Sequence, residues 1–84
     1  MEDFEACAAV LRAVIAGHSP NGTIWAENAI DDLMGATPLP EKRKTLLDLQ
    51  LIVITAHLNA ATGSQRSLAE TVNAYIEKQI QDLD

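Results

Sequence analysis

The chain is poor in the residue types that most catalytic and metal sites need. Its 84 residues include one cysteine, two histidines and three aromatic residues. Cys7 has no partner for an internal disulfide, and His18 and His57 are too far apart to form a local zinc motif. Glycine-rich phosphate loops, calcium loops and nucleophile motifs are also absent from the sequence. The sequence therefore predicts no catalytic residue, no metal site and no cofactor, and we expect that the protein is not an enzyme.

Basic residues are also scarce, since six of them face twelve acidic residues and leave a net charge of -6. Proteins that bind nucleic acid directly do so through clustered lysine and arginine, so this class is not expected. The acids concentrate in residues 1–36 and 67–84, and the middle of the chain is slightly basic. This balance favours a protein partner with a basic surface.

Long apolar runs are missing as well. The longest, Leu46–Leu58, is interrupted by Asp48 and Gln50 and is shorter than the roughly 20 residues that a membrane span requires. The first ten residues, MEDFEACAAV, are acidic where a secretory signal is basic. We therefore expect a cytoplasmic protein without membrane association.

What the chain does have is aliphatic and small residues in helical periodicity. The hydrophobic content is 48%, and thirteen residues are alanine, which favours closely packed helices. We predict a single domain over residues 1–84, an all-α compact four-helix fold with a long central third helix. The predicted helices span about 2–16, 24–35, 40–62 and 67–82.

Local signals set these boundaries. Gly17 is expected to end the first helix, Thr23 to cap the second, and Pro38 with Pro40 to separate the second from the third. Gly63 is expected to stop the third helix. The residues Ser67-Leu68-Ala69-Glu70 match a capping box, which predicts that the fourth helix begins there.

The third helix combines two apolar flanks with a narrow polar line. At 100° per residue, Arg43, Gln50 and His57 fall on one line, which we call the polar seam. Its apolar flanks are Leu46, Leu49 and Val53 on one side and Leu47, Ile54 and Leu58 on the other. One interpretation is that two helices cover the flanks and leave the seam in a solvated groove. The other is that the seam lies in a functional or oligomeric surface.

The second helix supplies the other candidate binding residues. Glu27 and Asp31 place like charges four positions apart, Asp32 adds a third acid, and Trp25 lies at the edge of the apolar face. Tryptophan is a frequent anchor in protein interfaces. These acids are also the expected partners of the basic triplet Lys42-Arg43-Lys44, which opens the third helix.

Size, acidity and helical content invite comparison with the acyl carrier proteins. That family carries phosphopantetheine on the serine of an Asp-Ser-Leu motif at the start of its second helix. The nearest match here is Arg66-Ser67-Leu68, which has arginine in place of aspartate and opens the last predicted helix. The motif is therefore not present, and the sequence does not place the chain in that family.

The sequence as a whole predicts a small acidic protein-interaction module, an adaptor or an inhibitor of a larger partner. Short acidic proteins are frequent among phage and mobile-element products that block host machinery, anti-CRISPR proteins included, so this is an analogy of size and charge. Two alternatives stay open: a carrier or small-molecule-binding helical domain, and a homodimeric structural helix bundle.

Overall fold

Four α-helices make up the protein, as seen in a computed structural model that describes residues 2–83. They are α1 (Glu2–Ile15), α2 (Ile24–Ala36), α3 (Leu39–Leu58) and α4 (Gly63–Asp82). No strand occurs within the described residues. The all-α, four-helix prediction is confirmed.

Each helix contributes to one apolar core. Leu11, Ile30, Leu49 and Ile76 come from the four helices in turn, and all have 0% exposure. Smaller side chains, such as Ala8 with 0% exposure, let the helices approach closely. Among the described residues, none of the buried side chains is polar or charged. The core is therefore aliphatic, as the composition predicts.

The helices cover one another unequally. The most extensive contact is between α3 and α4, and α1 packs against all three of the other helices. In contrast, α2 lies mainly on α1 and hardly meets α3. Only α1 and α4 therefore flank the third helix, and one of its sides has no helix packed against it.

Gly17 ends α1 as the sequence predicts. Its backbone φ of 87° is in the left-handed region that glycine adopts without strain. The Gly17 amide donates to the carbonyl of Val14 and the His18 amide to that of Ala13, both at 3.0 Å. This pair of bonds is the Schellman motif, which satisfies carbonyls left open at a helix end.

The junction of α3 and α4 lies four residues before its predicted place, and two boundary predictions were wrong. Gly63 is the first residue of α4 and does not stop α3, and Ser67 lies inside α4. The helix cap is Thr62, whose hydroxyl accepts from the Gln65 amide at 3.1 Å. The Gln65 side chain in turn accepts from the Ala61 amide at 2.8 Å. The sequence Thr62-x-x-Gln65 thus caps α4 in place of the downstream Ser67-x-x-Glu70, as a variant of the capping box in which the glutamine accepts from the amide one residue before the cap.

The predicted pairing of the basic triplet with the acids of α2 is wrong for both lysines. Lys42 donates to the main-chain carbonyl of Met34 at the end of α2, and Lys44 pairs with Asp48 at 2.9 Å, one turn along α3. A cation at the carboxyl end of a helix is favourable because the last carbonyls lack partners there. Lys42 therefore caps α2 and fixes the start of α3 beside it.

Candidate functional site

The uncovered side of α3 exposes four large aliphatic residues, which we call the apolar stripe. The exposed fractions are 48% for Leu47, 64% for Leu51, 45% for Ile54 and 78% for Leu58. Scattered apolar residues are ordinary on protein surfaces, whereas a continuous line of them is typical of an interaction site. The apolar stripe is therefore the primary candidate site.

The apolar stripe consists of one of the two predicted flanks of α3 together with Leu51, and the two flanks have different environments. Leu46, Leu49 and Val53 have at most 1% exposure in the core, because α1 and α4 close over them. On the other flank, no helix covers Leu47, Ile54 or Leu58. The interpretation in which two helices cover both flanks was wrong, because α2 packs on α1 and does not reach this side of α3.

The spacing within the stripe is that of a coiled-coil seam. Successive members are four, three and four positions apart, which places Leu47 and Ile54 at d and Leu51 and Leu58 at a of a heptad. The same register puts Lys44 at the preceding a position, where the apolar pattern ends. The stripe thus has the spacing of one face of a helix pair, and no helix within residues 2–83 covers it.

The polar seam runs between α3 and α4. Gln50 Nε2 donates to Glu77 Oε1 at 2.6 Å and to Asn73 Oδ1 at 3.2 Å. His57 Nε2 lies 3.1 Å from Glu70 Oε2. Arg43 occupies the same line one heptad earlier and is exposed. Gln50 and His57 therefore have partners on α4, and hydrogen bonding between the two helices accounts for these two polar residues of the line.

A shallow groove of about 200 Å³ follows the seam at its carboxyl end. Its lining joins the stripe to α4 and is mainly apolar, with His57 and Glu70 on its rim. The lining residues are Val53, Ile54, His57, Leu58, Ala69, Glu70 and Asn73. The apolar stripe therefore continues into a depression with one ionisable pair, and does not end at the edge of the helix.

Two of the three acids of α2, Asp31 and Glu27, accept hydrogen bonds from side chains of the protein itself. Tyr75 on α4 donates its phenolic hydrogen to Asp31 Oδ1 at 2.5 Å, and Thr23 donates to Glu27 Oε2 at 3.3 Å. The hydrogen bond to Asp31, together with burial and the negative charges of Asp31 and Glu27, raises the pKa of Tyr75 to about 12. Asp31 therefore helps to hold α2 against α4.

Trp25 and Asp32 lie on the outer side of α2, where Trp25 is 41% exposed beside Ile24 at 58%. Since α2 and α3 hardly meet, these residues do not form one site with the apolar stripe. The structure therefore does not bring the sequence-predicted candidates together. Trp25 and Asp32 lie on the outer side of α2, and Glu27 and Asp31 take part in internal hydrogen bonds. The other three candidates, Arg43, Gln50 and His57, lie on the seam between α3 and α4. Leu51 belongs to neither of the flanks predicted from periodicity, although the heptad spacing within the apolar run identifies it.

Other chemistry is limited in the described part of the chain. Burial raises the pKa of the Cys7 thiol to about 11, so the thiolate form is disfavoured. Within residues 2–83, no three His, Cys, Asp or Glu side chains are grouped as metal ligands would be. No helix in this range is long and apolar enough to cross a membrane.

No known family model, curated protein or solved structure matches this chain. Its function is therefore inferred from its own surface chemistry. The main surface features are the apolar stripe, the adjoining groove and the outer side of α2 with Trp25 and Asp32.

Proposed function

We propose that the protein is an interaction module that works by binding and not by catalysis, and that its contact surface is the apolar stripe of α3. The occupant is an α-helix that presents a matching apolar stripe. The single observation that supports this is the exposure of four aliphatic side chains at heptad spacing on one helix. Burying them against a second helix would remove from water four of the five large apolar side chains that the fold leaves exposed on α3, the fifth being Leu39 in its first turn.

The charges around the stripe favour a partner with a basic rim. Glu70 and Glu77 of α4 border the seam side of α3, and Asp48 lies on the opposite side of the stripe. A helix whose apolar face is edged by lysine or arginine would meet these carboxylates. These carboxylates and the net charge of -6 also disfavour direct binding to nucleic acid.

The role that best fits a domain of this size is that of an adaptor or an inhibitor of a larger protein, acting in the cytoplasm. An inhibitor of host machinery encoded by a phage or mobile element, as anti-CRISPR proteins are, is the specific form that we propose. The support for it is small size, acidity and a preformed helix face without internal cover. A carrier function has less support, because Ser67 lies inside α4 and not at a helix start.

Matched variants in an affinity capture test this function. Immobilised wild-type protein, Leu51→Glu and Asn28→Glu are each incubated with the same host lysate, and bound proteins are compared by mass spectrometry. Asn28 is exposed on α2, so its variant matches the introduced charge without touching the stripe. We expect a protein that wild type and Asn28→Glu retain and Leu51→Glu loses.

Reconstitution with the purified candidate partner completes the test. A binary complex that Leu51→Glu weakens at least about tenfold would support the proposal, because a charge in the centre of an apolar contact leaves an unpaired buried group. Binding of equal strength by all three proteins would show that the stripe is not the contact surface.

A further inference from the structure

We propose that a second groove, between α1 and α3, binds a carboxylate of the partner helix through Arg12. This inference rests on the proposed function, since the groove borders the apolar stripe and shares Leu51 with it. The groove has a volume of about 420 Å³ and is mainly apolar. Its lining residues are Arg12, Leu51, Ile52, Thr55, Ala56 and Asn59, and Arg12 alone among them is charged.

This groove and the one beside α4 lie on opposite sides of the stripe. At 100° per residue, Ile52 and Thr55 fall on one side of Leu51, and Gln50 and His57 fall on the other. The lining of the second groove contains residues of α1 and α3 only. A helix seated on the stripe would therefore have one edge toward α4 and the other toward Arg12.

Arg12 has no acidic partner among the described residues. The positions one turn away from it on α1 are alanine or isoleucine, so its own helix supplies no carboxylate at pairing distance. No ion pair within the described residues includes it. The last turn of a helix favours a cation, which explains a basic residue near the end of α1 but not its place beside the uncovered side of α3. The guanidinium is thus available to an anion from outside.

The other polar side chains of the groove are engaged within α3. The Thr55 hydroxyl donates to the Leu51 carbonyl at 2.9 Å, and the Asn59 amide donates to the Thr55 carbonyl at 3.0 Å. A guanidinium offers five N–H donors and binds a carboxylate through two parallel hydrogen bonds. Phosphates are bound by clusters of basic residues, and this groove has a single one. An aspartate or glutamate side chain, with its short apolar stem on Leu51, has the matching chemistry.

A carboxylate at Arg12 determines the direction of the partner helix. The side of the stripe toward α4 carries Glu70 and Glu77, whereas Asp48, on the side toward α1, is already paired with Lys44. Arg12 therefore sets the sign of the charge on the α1 side, and the basic rim inferred above applies to the α4 side. Reversing a helix exchanges its two edges. A partner with basic residues along one edge and an acid on the other therefore fits in one direction only.

An NMR titration with two small probes tests the site. Isocaproate joins a leucine-like stem to a carboxylate, and isocaproamide is its neutral match. Both are titrated into isotope-labelled wild type, Arg12→Gln and Lys78→Gln. Lys78 is exposed on α4, so its variant removes the same charge without touching the groove. Circular dichroism verifies that each protein is folded.

In wild type and Lys78→Gln, isocaproate should shift the backbone amides of Leu51 and Ala56 with a dissociation constant on the order of 1 to 10 mM. Isocaproamide should bind at least about threefold more weakly, and Arg12→Gln should weaken isocaproate by a similar factor. Absence of these shifts, equal binding of the two probes by wild type, or equal binding of isocaproate by Arg12→Gln and Lys78→Gln would overturn the inference.

The complex with the captured partner separates this inference from the proposed function. Arg12→Gln should raise its dissociation constant roughly threefold or more relative to Lys78→Gln, because the acid of the partner loses its ion pair. A partner that Leu51→Glu loses, and that Arg12→Gln binds as tightly as Lys78→Gln does, would contradict the assignment of Arg12 and leave the proposed function standing.

Discussion

Leu49 and Leu51 are two positions apart on α3 and have opposite environments. Leu49 has 0% exposure in the core, and Leu51 leaves 64% of its surface exposed. The two leucines have the same helix propensity and the same size, yet they have two different roles in one helix. Leu49 helps to hold the four helices together, and Leu51 is at the centre of the surface that we assign to binding.

This contrast predicts very different costs of truncation. Leu49→Ala should lower the free energy of unfolding by about 2 to 5 kcal/mol, because it removes buried contacts and leaves a cavity. Leu51→Ala should change it by no more than about 0.5 kcal/mol when measured on the monomer. Urea denaturation at low protein concentration makes the comparison, and similar losses for both variants would contradict the orientation of α3.

The cap of α4 predicts which polar residue matters at the α3–α4 junction. Thr62→Ala should cost about 1 kcal/mol, since it removes the hydroxyl that accepts from the Gln65 amide. Ser67→Ala should cost less than about 0.5 kcal/mol, because Ser67 is exposed within the helix. Thermal denaturation of the two variants decides between them. A larger loss for Ser67→Ala would restore the boundary predicted from the sequence.

The hydrogen bond between Gln50 and Glu77 on the seam predicts that a negative charge at position 50 destabilises the protein. Gln50→Glu places a second carboxylate where the amide donates to Glu77, 2.6 Å away in wild type, and should destabilise the protein by about 1 kcal/mol. Added salt should reduce the loss by screening the repulsion. The double variant Gln50→Glu with Glu77→Gln restores one donor and one acceptor, and it should recover most of the stability in urea denaturation. No recovery would mean that the two side chains do not interact.

The hydrogen bond between Tyr75 and Asp31 predicts an anomalous tyrosine titration. Tyr75 is the single tyrosine of the chain, so phenolate absorbance reports on it alone. With its pKa raised to about 12, Tyr75 should stay mainly protonated at about pH 10.5, where a free tyrosine is mostly ionised. Asp31→Asn should bring the titration back toward pH 10, and Asp32→Asn, on the outer side of α2, should not.

The raised pKa of Tyr75 also predicts the direction in which the stability of the folded protein changes with pH. The phenol has a higher pKa in the folded than in the unfolded protein, so its contribution is fully present below about pH 10 and is lost as the pH rises through about 12. Wild type should therefore lose stability over this window more steeply than Asp31→Asn. Equal slopes for the two proteins would contradict the hydrogen bond.

The sequence predicted the fold class well because its breaks and periodicities are strong. Gly17 and the pair Pro38 and Pro40 separate three helices close to their observed ends. The last junction was misplaced because two capping boxes occur five residues apart, and local chemistry does not rank them. Glycine is also common just after the last residue of a helix, which is why Gly63 was predicted to stop α3. Glycine is, however, tolerated in a first helical turn.

The candidate site was only partly predictable, because periodicity identifies faces of a helix but not the neighbours that cover them. Residues 43, 50 and 57 were found to share a line, but their partners on α4 depend on how two helices pack. The exposure of one apolar flank depends on where α2 docks, which is tertiary information. The heptad spacing from Leu47 to Leu58 was present in the sequence, and only the exposure distinguishes it from a buried pattern.

The central claim is that another helix covers the apolar stripe, and photo-crosslinking at its middle tests it without prior choice of the occupant. Photo-leucine replaces Leu51 in one protein and Asn28 in a control, and both are irradiated in host lysate. We predict adducts at position 51 with one defined protein, which run above the 9.1 kDa mass of the chain by the mass of that partner. Adducts no more abundant at position 51 than at position 28 would contradict the account.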